Sequence, residues 1–207
     1  AAADYIATLD PPFFQALMDY TDYGNAAFDC PGHQGGQFFR KHPSGRRFYL
    51  YFGETLFRAD SCNADVRLGD LLIHEGPAFE AQAHAAKVFN ADKTYFVLNG
   101  TSSSNKIAIG ALVAHGDLVL FDRNNHKSVY QGALTMAGGT PVYLETDRNA
   151  YGLIGGIPGH CFDEAEIRAR IREVAPDKAD DARPFRLAVI QLGTYDGTIY
   201  NARQVVD

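Results

Sequence analysis

The fold of this chain is decided by the stretch YFVLNGTSSSNK at residues 95–106. Its apolar start predicts a buried strand over Thr94–Leu98, and the residues after the serines predict a helix over Ser104–Ala114. The first N–H groups of a helix have no intrahelical acceptor, and the helix dipole favours an anion there. Glycine and hydroxyl residues before such a helix therefore predict a phosphate site. The alternative is an ordinary N-cap made by one serine, with solvated neighbours.

A second polar run, DRNNHKS at residues 122–128, follows the apolar segment Leu118–Phe121. Both polar runs therefore lie just past the carboxyl end of a predicted strand, which is the edge where ligands bind in open α/β sheets. A phosphate turn and an imidazole at one edge indicate a cofactor with a phosphate at one end and a ring near the other. Asp122, which opens the second run, is interpreted as a turn-forming carboxylate rather than an acid catalyst.

Strands and helices are predicted to alternate along the rest of the chain. This alternation predicts an α/β fold with a mostly parallel sheet and helices on both faces. The last predicted helix opens with a capping-box pattern, Asp163 and Glu166, and stops at Pro176. The further predicted strands are Val142–Leu144 and Leu187–Leu192, and the further predicted helices are His126–Ala137 and Glu164–Val174.

The part of the chain before these elements is predicted to contain two helices, Phe13–Tyr20 and Glu75–Phe89. The second has the composition of a helix with one buried stripe formed by Ala81, Ala85 and Val88, which Ala78 and Ala86 would widen. The aromatic segment Phe48–Phe57 is interpreted as partly strand or interface.

Composition excludes several classes of function. The chain has 207 residues, a formal net charge of −6 and no basic block, which argues against a nucleic-acid surface. No apolar run approaches the roughly 18 residues of a membrane span, and no signal-peptide pattern opens the sequence. The cysteines lack C-x-x-C spacing, and the cysteines and histidines together lack the spacing of structural zinc sites. We therefore expect a cytoplasmic protein with reduced thiols and no metal.

Several motifs, in this order, resemble the bacterial ornithine/lysine/arginine decarboxylases, which are pyridoxal 5'-phosphate enzymes of the aspartate-aminotransferase fold. Within that family, residues 39–43 (FRKHP) and 191–193 (QLG) look most like the ornithine-specific branch. The motifs that carry the resemblance are PGHQGG at 31–36, EAQ at 80–82, AAKVF at 85–89, NGTSSSNK at 99–106, DRNNHKS at 122–128, YGLIGGI at 151–157 and TYDG at 194–197.

The resemblance implies a role for individual residues. His126 would stack on the pyridine ring and is the predicted catalytic residue, and Thr194 would lie near the ring or its phenolic oxygen. His33 and the surrounding glycines would form a turn close to the active site or the subunit interface. The cofactor phosphate would be held by three hydroxyl residues, Thr101, Ser102 and Ser103.

The resemblance also implies that part of the active site lies beyond Asp207, namely the Schiff-base lysine and the aspartate that pairs with the pyridine nitrogen. Neither Lys106 nor Lys127 is predicted to be that lysine. The chain is therefore expected to be a segment, inactive alone, with residues 1–70 forming an N-terminal helix, linker and glycine-rich turn and 71–207 the first part of the cofactor domain. The complete protein is expected to convert ornithine to putrescine in polyamine biosynthesis, as a homodimer or higher oligomer.

Three alternatives remain open at this point. One is another enzyme of the same fold, an aminotransferase or an aldolase. The second is a non-catalytic truncated paralogue that binds pyridoxal phosphate or only a partner subunit. The third is a nucleotide-binding protein, although residues 100–106 lack the G-x-x-x-x-G-K-[ST] spacing of a phosphate-binding loop.

Overall fold

A computed structural model of the chain describes residues 2–7, 9–24, 26, 28, 30–62, 65–130 and 134–206. The chain divides into two compact units, Ala1–Phe96 and Val97–Asp207. The domain division at residue 70 that the sequence suggests remains a prediction.

The first unit is helical in its described part, and helix α2 (Pro12–Asp22) packs against α4 (Glu54–Ala59) and α5 (Gly76–Val88). The stripe predicted for α5 is confirmed at Ala78, Ala81 and Ala86, which are buried together with Gln82. It is wrong at Val88, which is 63% exposed. Alanines occur on several sides of this helix, so composition alone does not choose the face that packs. The helices are α1 Ala2–Ala7, α2 Pro12–Asp22, α3 Pro43–Phe52, α4 Glu54–Ala59 and α5 Gly76–Val88, with a 3₁₀ turn at Gln37–Lys41.

The aromatic segment Phe48–Phe57 is helical, so its interpretation as partly strand is wrong. Phe48 and Phe52 are four residues apart, which places both rings on one face of α3, and their centroids are 4.6 Å apart. Phe57 of α4 is buried, and its ring stacks on that of Tyr49 with centroids 5.5 Å apart. Aromatic residues favour strands on average. Here their four-residue spacing puts Phe48 and Phe52 on one face of α3, where both rings contact Phe57 of α4.

The second unit contains a parallel sheet of β1 (Leu118–Asp122), β2 (Thr140–Leu144) and β3 (Phe185–Val189), in the strand order β2-β1-β3. In the central strand, Leu120 lies opposite Val142 of β2 and Ala188 of β3. The elements are α6 Thr101–Leu112, β1 Leu118–Asp122, α7 Lys127–Val129, α8 Thr135–Ala137, β2 Thr140–Leu144, α9 Glu164–Val174, β3 Phe185–Val189 and α10 Ala202–Val206, with 3₁₀ turns at Gly159–Phe162 and Pro176–Lys178.

Both faces of this sheet are covered by helices. Val119 and Phe121 of β1 form a buried cluster with Ile109 of α6. Leu118, which alternates with them along the strand, packs on the other side with Ile171 of α9. The predicted α/β architecture, a parallel sheet with helices on both faces, is therefore confirmed.

The strand predicted at Thr94–Leu98 is wrong. In the part of the chain that the structure describes, this segment belongs to no strand, and the neighbours of β1 are β2 and β3. Tyr95 is 57% exposed and Leu98 is 73% exposed. An apolar run predicts burial, but a strand exists only where another strand offers it hydrogen bonds, and the local pattern does not identify that partner.

Two predicted helices of the second unit differ from the structure in their extent. Helix α6 begins at Thr101 rather than Ser104, so the hydroxyl residues form its first turn instead of preceding it. In place of the helix predicted at His126–Ala137, the structure has two short helices, α7 (Lys127–Val129) and α8 (Thr135–Ala137). Residues 131–133 between them lie outside the described residues.

Helix α9 has the predicted bounds, Glu164–Val174, but not the predicted capping box. Asp163 is its N-cap residue and makes no side-chain capping hydrogen bond. The Glu166 carboxylate instead pairs with Arg170 one turn later, with Nη2 and Oε1 2.9 Å apart. The guanidinium of Arg170 also donates to the backbone oxygen of Tyr143 at 3.0 Å, so this pairing attaches α9 to β2.

Candidate active site at the carboxyl edge of the sheet

Helix α6 presents hydroxyl groups at the carboxyl edge of the sheet. The helix packs on the sheet and ends shortly before β1 begins, so its amino end lies near the carboxyl end of β1. Thr101 and Ser102 are exposed in its first turn. The Ser103 hydroxyl donates to the backbone oxygen of Asn99 at 3.3 Å. Gly100 precedes the helix with a φ of 82°, a conformation that suits glycine. The first turn therefore offers exposed hydroxyls beside the free N–H groups of the helix end.

The loop that follows β1 is built around the carboxylate of Asp122, which is completely buried. Its Oδ1 accepts the backbone N–H of Asn124 at 2.8 Å, the turn that the sequence predicts for this residue. Its Oδ2 accepts the backbone N–H of Gln191 at 3.2 Å, just beyond β3. One carboxylate thus joins the loop after β1 to the segment after β3.

Asn125 gives the same loop a second attachment. Its side-chain amide donates to the backbone oxygens of Asp122 at 3.1 Å and of Val189, the last residue of β3, at 2.9 Å. Because β1 and β3 are parallel neighbours, these bonds hold the next residue, His126, at the carboxyl edge.

His126 is exposed, but one of its ring nitrogens is held from two sides. Nδ1 accepts the backbone N–H of Ser128 at 3.1 Å, and the Ser128 hydroxyl lies 2.9 Å from the same nitrogen. That hydroxyl accepts a hydrogen bond of 2.9 Å from the side-chain amide of Asn105 in α6. The structure therefore brings the two polar runs of the sequence together through Asn105 and Ser128.

Thr194 follows β3, so the parallel arrangement places it beyond the same edge as His126. Its N–H donates to the backbone oxygen of Thr198 at 2.9 Å, and its hydroxyl oxygen accepts the N–H of Thr198 at 3.1 Å. A hydroxyl that accepts one hydrogen bond retains a proton to donate. The turn over residues 194–198 therefore orients this hydroxyl through its own backbone.

Tyr200 attaches that turn to the segment before α9. Its hydroxyl accepts the backbone N–H of Ile157 at 2.8 Å. Burial raises the pKa of this phenol above its usual 10.0, and the negative charge of Asp122 acts in the same direction, against the opposing effect of the Ile157 hydrogen bond. The phenol therefore remains neutral at physiological pH and acts as a structural anchor.

Two further polar atoms at this edge are buried and have no hydrogen-bond partner among the described residues: Nδ2 of Asn124 and Oε1 of Gln191. Both residues donate their backbone N–H to Asp122. Buried polar atoms normally have partners. This edge therefore has one donor and one acceptor to spare, as expected of a place where another polar group is bound.

His33, in the first unit, has partners on both ring nitrogens. Nδ1 accepts the backbone N–H of Gly36 at 3.1 Å, and Nε2 lies 3.0 Å from a carboxylate oxygen of Asp60. Its ring packs against Phe39 and Phe57. These contacts make His33 the centre of its glycine-rich turn, and its predicted proximity to the active site stays a prediction.

The described residues contain no group of three or more His, Cys, Asp or Glu side chains arranged to hold a metal ion. Likewise, no helix in the described part of the chain is long and apolar enough to cross a membrane. Cys30 and Cys161 carry free thiols.

Comparison with known proteins identifies the family. Residues 11–207 match the model of the Orn/Lys/Arg decarboxylase major domain. The chain belongs to this family. It is 72% identical over its full length to an inducible ornithine decarboxylase of Escherichia coli and 68% identical to an ornithine decarboxylase of Haemophilus influenzae, covering 28% and 29% of those proteins. The structure of the Escherichia coli constitutive lysine decarboxylase matches 98% of the chain and 28% of its own length, with a TM-score of 0.78 and 36% identity.

The resemblance read from the sequence motifs is thus confirmed, and the chain spans a little over a quarter of the length of these decarboxylases. The sequence motifs contain Asn105 and Ser128 but assign neither a role, and Gln191 enters only as a mark of one family branch. The sequence feature that could have pointed to Asn105 is its position four residues after Thr101, one turn along the same face of α6. Nothing local indicates that Ser128 is its partner.

Proposed function

We propose that the complete protein is a pyridoxal 5'-phosphate-dependent decarboxylase that converts ornithine to putrescine. The family match supports decarboxylation of a basic amino acid. Among the relatives compared, those named ornithine decarboxylase are far more similar to the chain than the lysine decarboxylase of known structure, which supports ornithine as the substrate. The observation that carries the proposal is the contact of Asn105 with Ser128, which joins the hydroxyl-rich start of α6 to the loop of His126.

The start of α6 fits a phosphate group. Thr101 and Ser102 present exposed hydroxyls there, and Ser103 in the same turn would exchange its hydrogen bond to Asn99 for one to the phosphate. Hydroxyl donors and free helix N–H groups can surround the phosphate oxygens, and the helix dipole favours their negative charge. We assign the phosphate-binding role to these three residues.

The loop after β1 fits the ring of the same cofactor. His126 offers an exposed, flat imidazole whose Nδ1 is held by Ser128. We assign His126 the role of stacking on the face of the pyridine ring. Thr194 would donate its free hydroxyl proton near the ring or its phenolic oxygen. Asn124 and Gln191, with their spare buried donor and acceptor, are suited to polar groups that complete the site.

Pyridoxal phosphate supplies an electron sink for the electron pair left at Cα when the carboxylate departs. The residues of this chain would bind the cofactor and orient it. The hydroxyls of α6 anchor one end of the site, and His126 defines the plane at the other, so that the carboxylate bond can be kept perpendicular to that plane. The covalent lysine and the carboxylate at the ring nitrogen are expected from residues after Asp207.

This assignment places residues 71–207 in the large domain of an aspartate-aminotransferase fold. We further propose that the protein acts in the cytoplasm, in polyamine biosynthesis, as a homodimer or larger oligomer. The free thiols of Cys30 and Cys161 are consistent with a reducing compartment.

The test is the release of carbon dioxide by the purified complete protein. The protein is loaded with pyridoxal phosphate and given ornithine, lysine or arginine in separate reactions, and the amine product is identified by mass spectrometry. We expect putrescine from ornithine with the highest kcat/KM of the three substrates. A preference for lysine or arginine would overturn the assignment of ornithine as the substrate. A keto acid product without carbon dioxide would identify an aminotransferase instead.

A further inference from the structure

We propose that Asn105 and Ser128 are positioning residues that hold the imidazole of His126 in a single orientation and tautomer. The inference rests on the proposed function, in which His126 faces the cofactor ring. Neither side chain needs to touch the cofactor or the substrate for this role. Both would act through His126.

The direction of the hydrogen bonds follows from the chemistry of the three groups. The Asn105 amide nitrogen can only donate, so the Ser128 oxygen must accept at 2.9 Å. The Ser128 hydroxyl proton is then free to be donated to Nδ1 of His126, which lies 2.9 Å away. Nδ1 also accepts the backbone N–H of Ser128 at 3.1 Å, so a proton on that nitrogen would face a donor. The neutral ring therefore carries its proton on Nε2.

This arrangement is more than a local helix cap. A cap on the short helix α7 requires only the N–H of Ser128 and the ring of His126. The Asn105 bond adds a partner from another helix, 23 residues away in sequence. Because Ser128 is 9% exposed, water does not easily replace that partner. A chain of hydrogen bonds also strengthens each of its members.

The consequence is a fixed relationship between the two ends of the candidate site. Asn105 lies one turn after Thr101 on α6, and its amide reaches the loop that carries His126. The helix start proposed to hold the phosphate and the imidazole proposed to face the ring therefore share one rigid connection. Loss of Asn105 is expected to release the ring while leaving the phosphate hydroxyls in place.

The first measurement uses the complete protein without cofactor, labelled with ¹⁵N-histidine and studied by magic-angle-spinning NMR. The His126 signals are identified by their disappearance in His126→Gln. In Ser128→Ala, which removes one of two hydrogen bonds to Nδ1, we expect that resonance to move towards the position of a free imine nitrogen. Asn105→Ala should move it in the same direction by a smaller amount, and Ser128→Thr, which keeps the hydroxyl, should restore the wild-type position.

Thr135→Ala is the matched control, because it removes a hydroxyl that bonds the backbone oxygen of Tyr130 and not His126. Its His126 signals should equal those of the wild type. Unchanged Nδ1 signals in both Asn105→Ala and Ser128→Ala would overturn the inference.

The second measurement is a double-mutant cycle on the loaded enzyme. Asn105→Ala and Ser128→Ala should each lower kcat about two- to tenfold, the effect of one hydrogen bond, with KM and cofactor dissociation unchanged. In the His126→Ala background neither change should lower kcat further. A further loss in that background would overturn the inference. If His126→Ala itself turned over like the wild type, the proposed role of His126 would fail while the NMR result could still stand, so the two failures are distinguishable.

Discussion

The buried carboxylate of Asp122 accepts the backbone N–H of Gln191, 69 residues further along the chain, at 3.2 Å. Its second oxygen accepts the N–H of Asn124 at 2.8 Å. The carboxylate therefore connects the ends of two neighbouring parallel strands at the edge where His126 lies. A fully buried carboxylate thus shapes the candidate site through its two hydrogen bonds to the backbone.

Asp122→Asn should loosen this edge locally. An amide keeps only one acceptor oxygen, so one backbone N–H is left buried without a partner, at a cost of about 1–3 kcal/mol. In hydrogen–deuterium exchange of the complete protein, peptides containing Asn124 and Gln191 should exchange about five- to 150-fold faster. Asp117→Asn is the control, because its partly exposed carboxylate accepts the N–H of Ala114 close by in sequence and joins no two strands. Equal exchange in the two variants would contradict the anchoring role of Asp122.

Ser102→Ala in the complete enzyme should weaken retention of pyridoxal phosphate. A hydrogen bond to a charged oxygen contributes about 1.5–3 kcal/mol, so the cofactor should dissociate about ten- to 150-fold more readily. Dissociation is followed by the loss of cofactor absorbance during dialysis. Ser44→Ala, an exposed serine in α3, is the control. Wild-type retention in Ser102→Ala would show that the phosphate binds elsewhere.

His126→Ala should reduce turnover by more than it reduces stability. The imidazole is exposed, so its removal creates no cavity, but it would remove the group facing the cofactor ring. The comparison is between kcat and the thermal unfolding midpoint of the complete enzyme, with His84→Ala on the exposed side of α5 as the matched control. A fall in the midpoint with kcat intact would assign His126 a purely structural role.

Gly36→Ala should destabilise the first unit. Gly36 has a φ of 85°, and a Cβ there would lie 2.8 Å from Phe57 Cβ and from Tyr49 Cε2. The backbone strain and the crowding together should cost about 2–4 kcal/mol. Gly32→Ala is the control, because a Cβ at that position meets no atom within 4 Å. The unfolding midpoint of the complete protein should fall for Gly36→Ala only.

Tyr143 should make the folded state sensitive to strong alkali. Burial, together with the neighbouring Tyr130 hydroxyl, raises its pKa from 10.0 to about 12, although Arg123 acts in the opposite direction. The folded state keeps this phenol neutral while the unfolded chain ionises it near 10.0, so stability is fully present below pH 10 and falls as the pH rises to about 12. Tyr143→Phe should reduce this fall and remove one late step of tyrosinate absorbance. Tyr151→Phe, which removes an exposed phenol, is the control.

The alternation of apolar segments with helical patterns was sufficient to predict a parallel sheet with helices on both faces. Those patterns reflect burial, and burial is encoded locally, residue by residue. The same reasoning failed for Thr94–Leu98, whose apolar residues have the composition of a strand while no strand in the described part of the chain pairs with them. It failed again for Phe48–Phe57, because aromatic residues suit a helix contact as well as a strand.

The sequence by itself determined the chemistry of the candidate site: a run of hydroxyls at the start of a helix, and an imidazole after a strand. The tertiary structure alone decided how these groups are held. Asn105 meets Ser128 across 23 residues, and Asp122 meets Gln191 across 69. Hydrogen bonds between distant residues depend on the register of the strands and the packing of the helices. No short stretch of sequence contains that information, because each stretch describes only its own conformation.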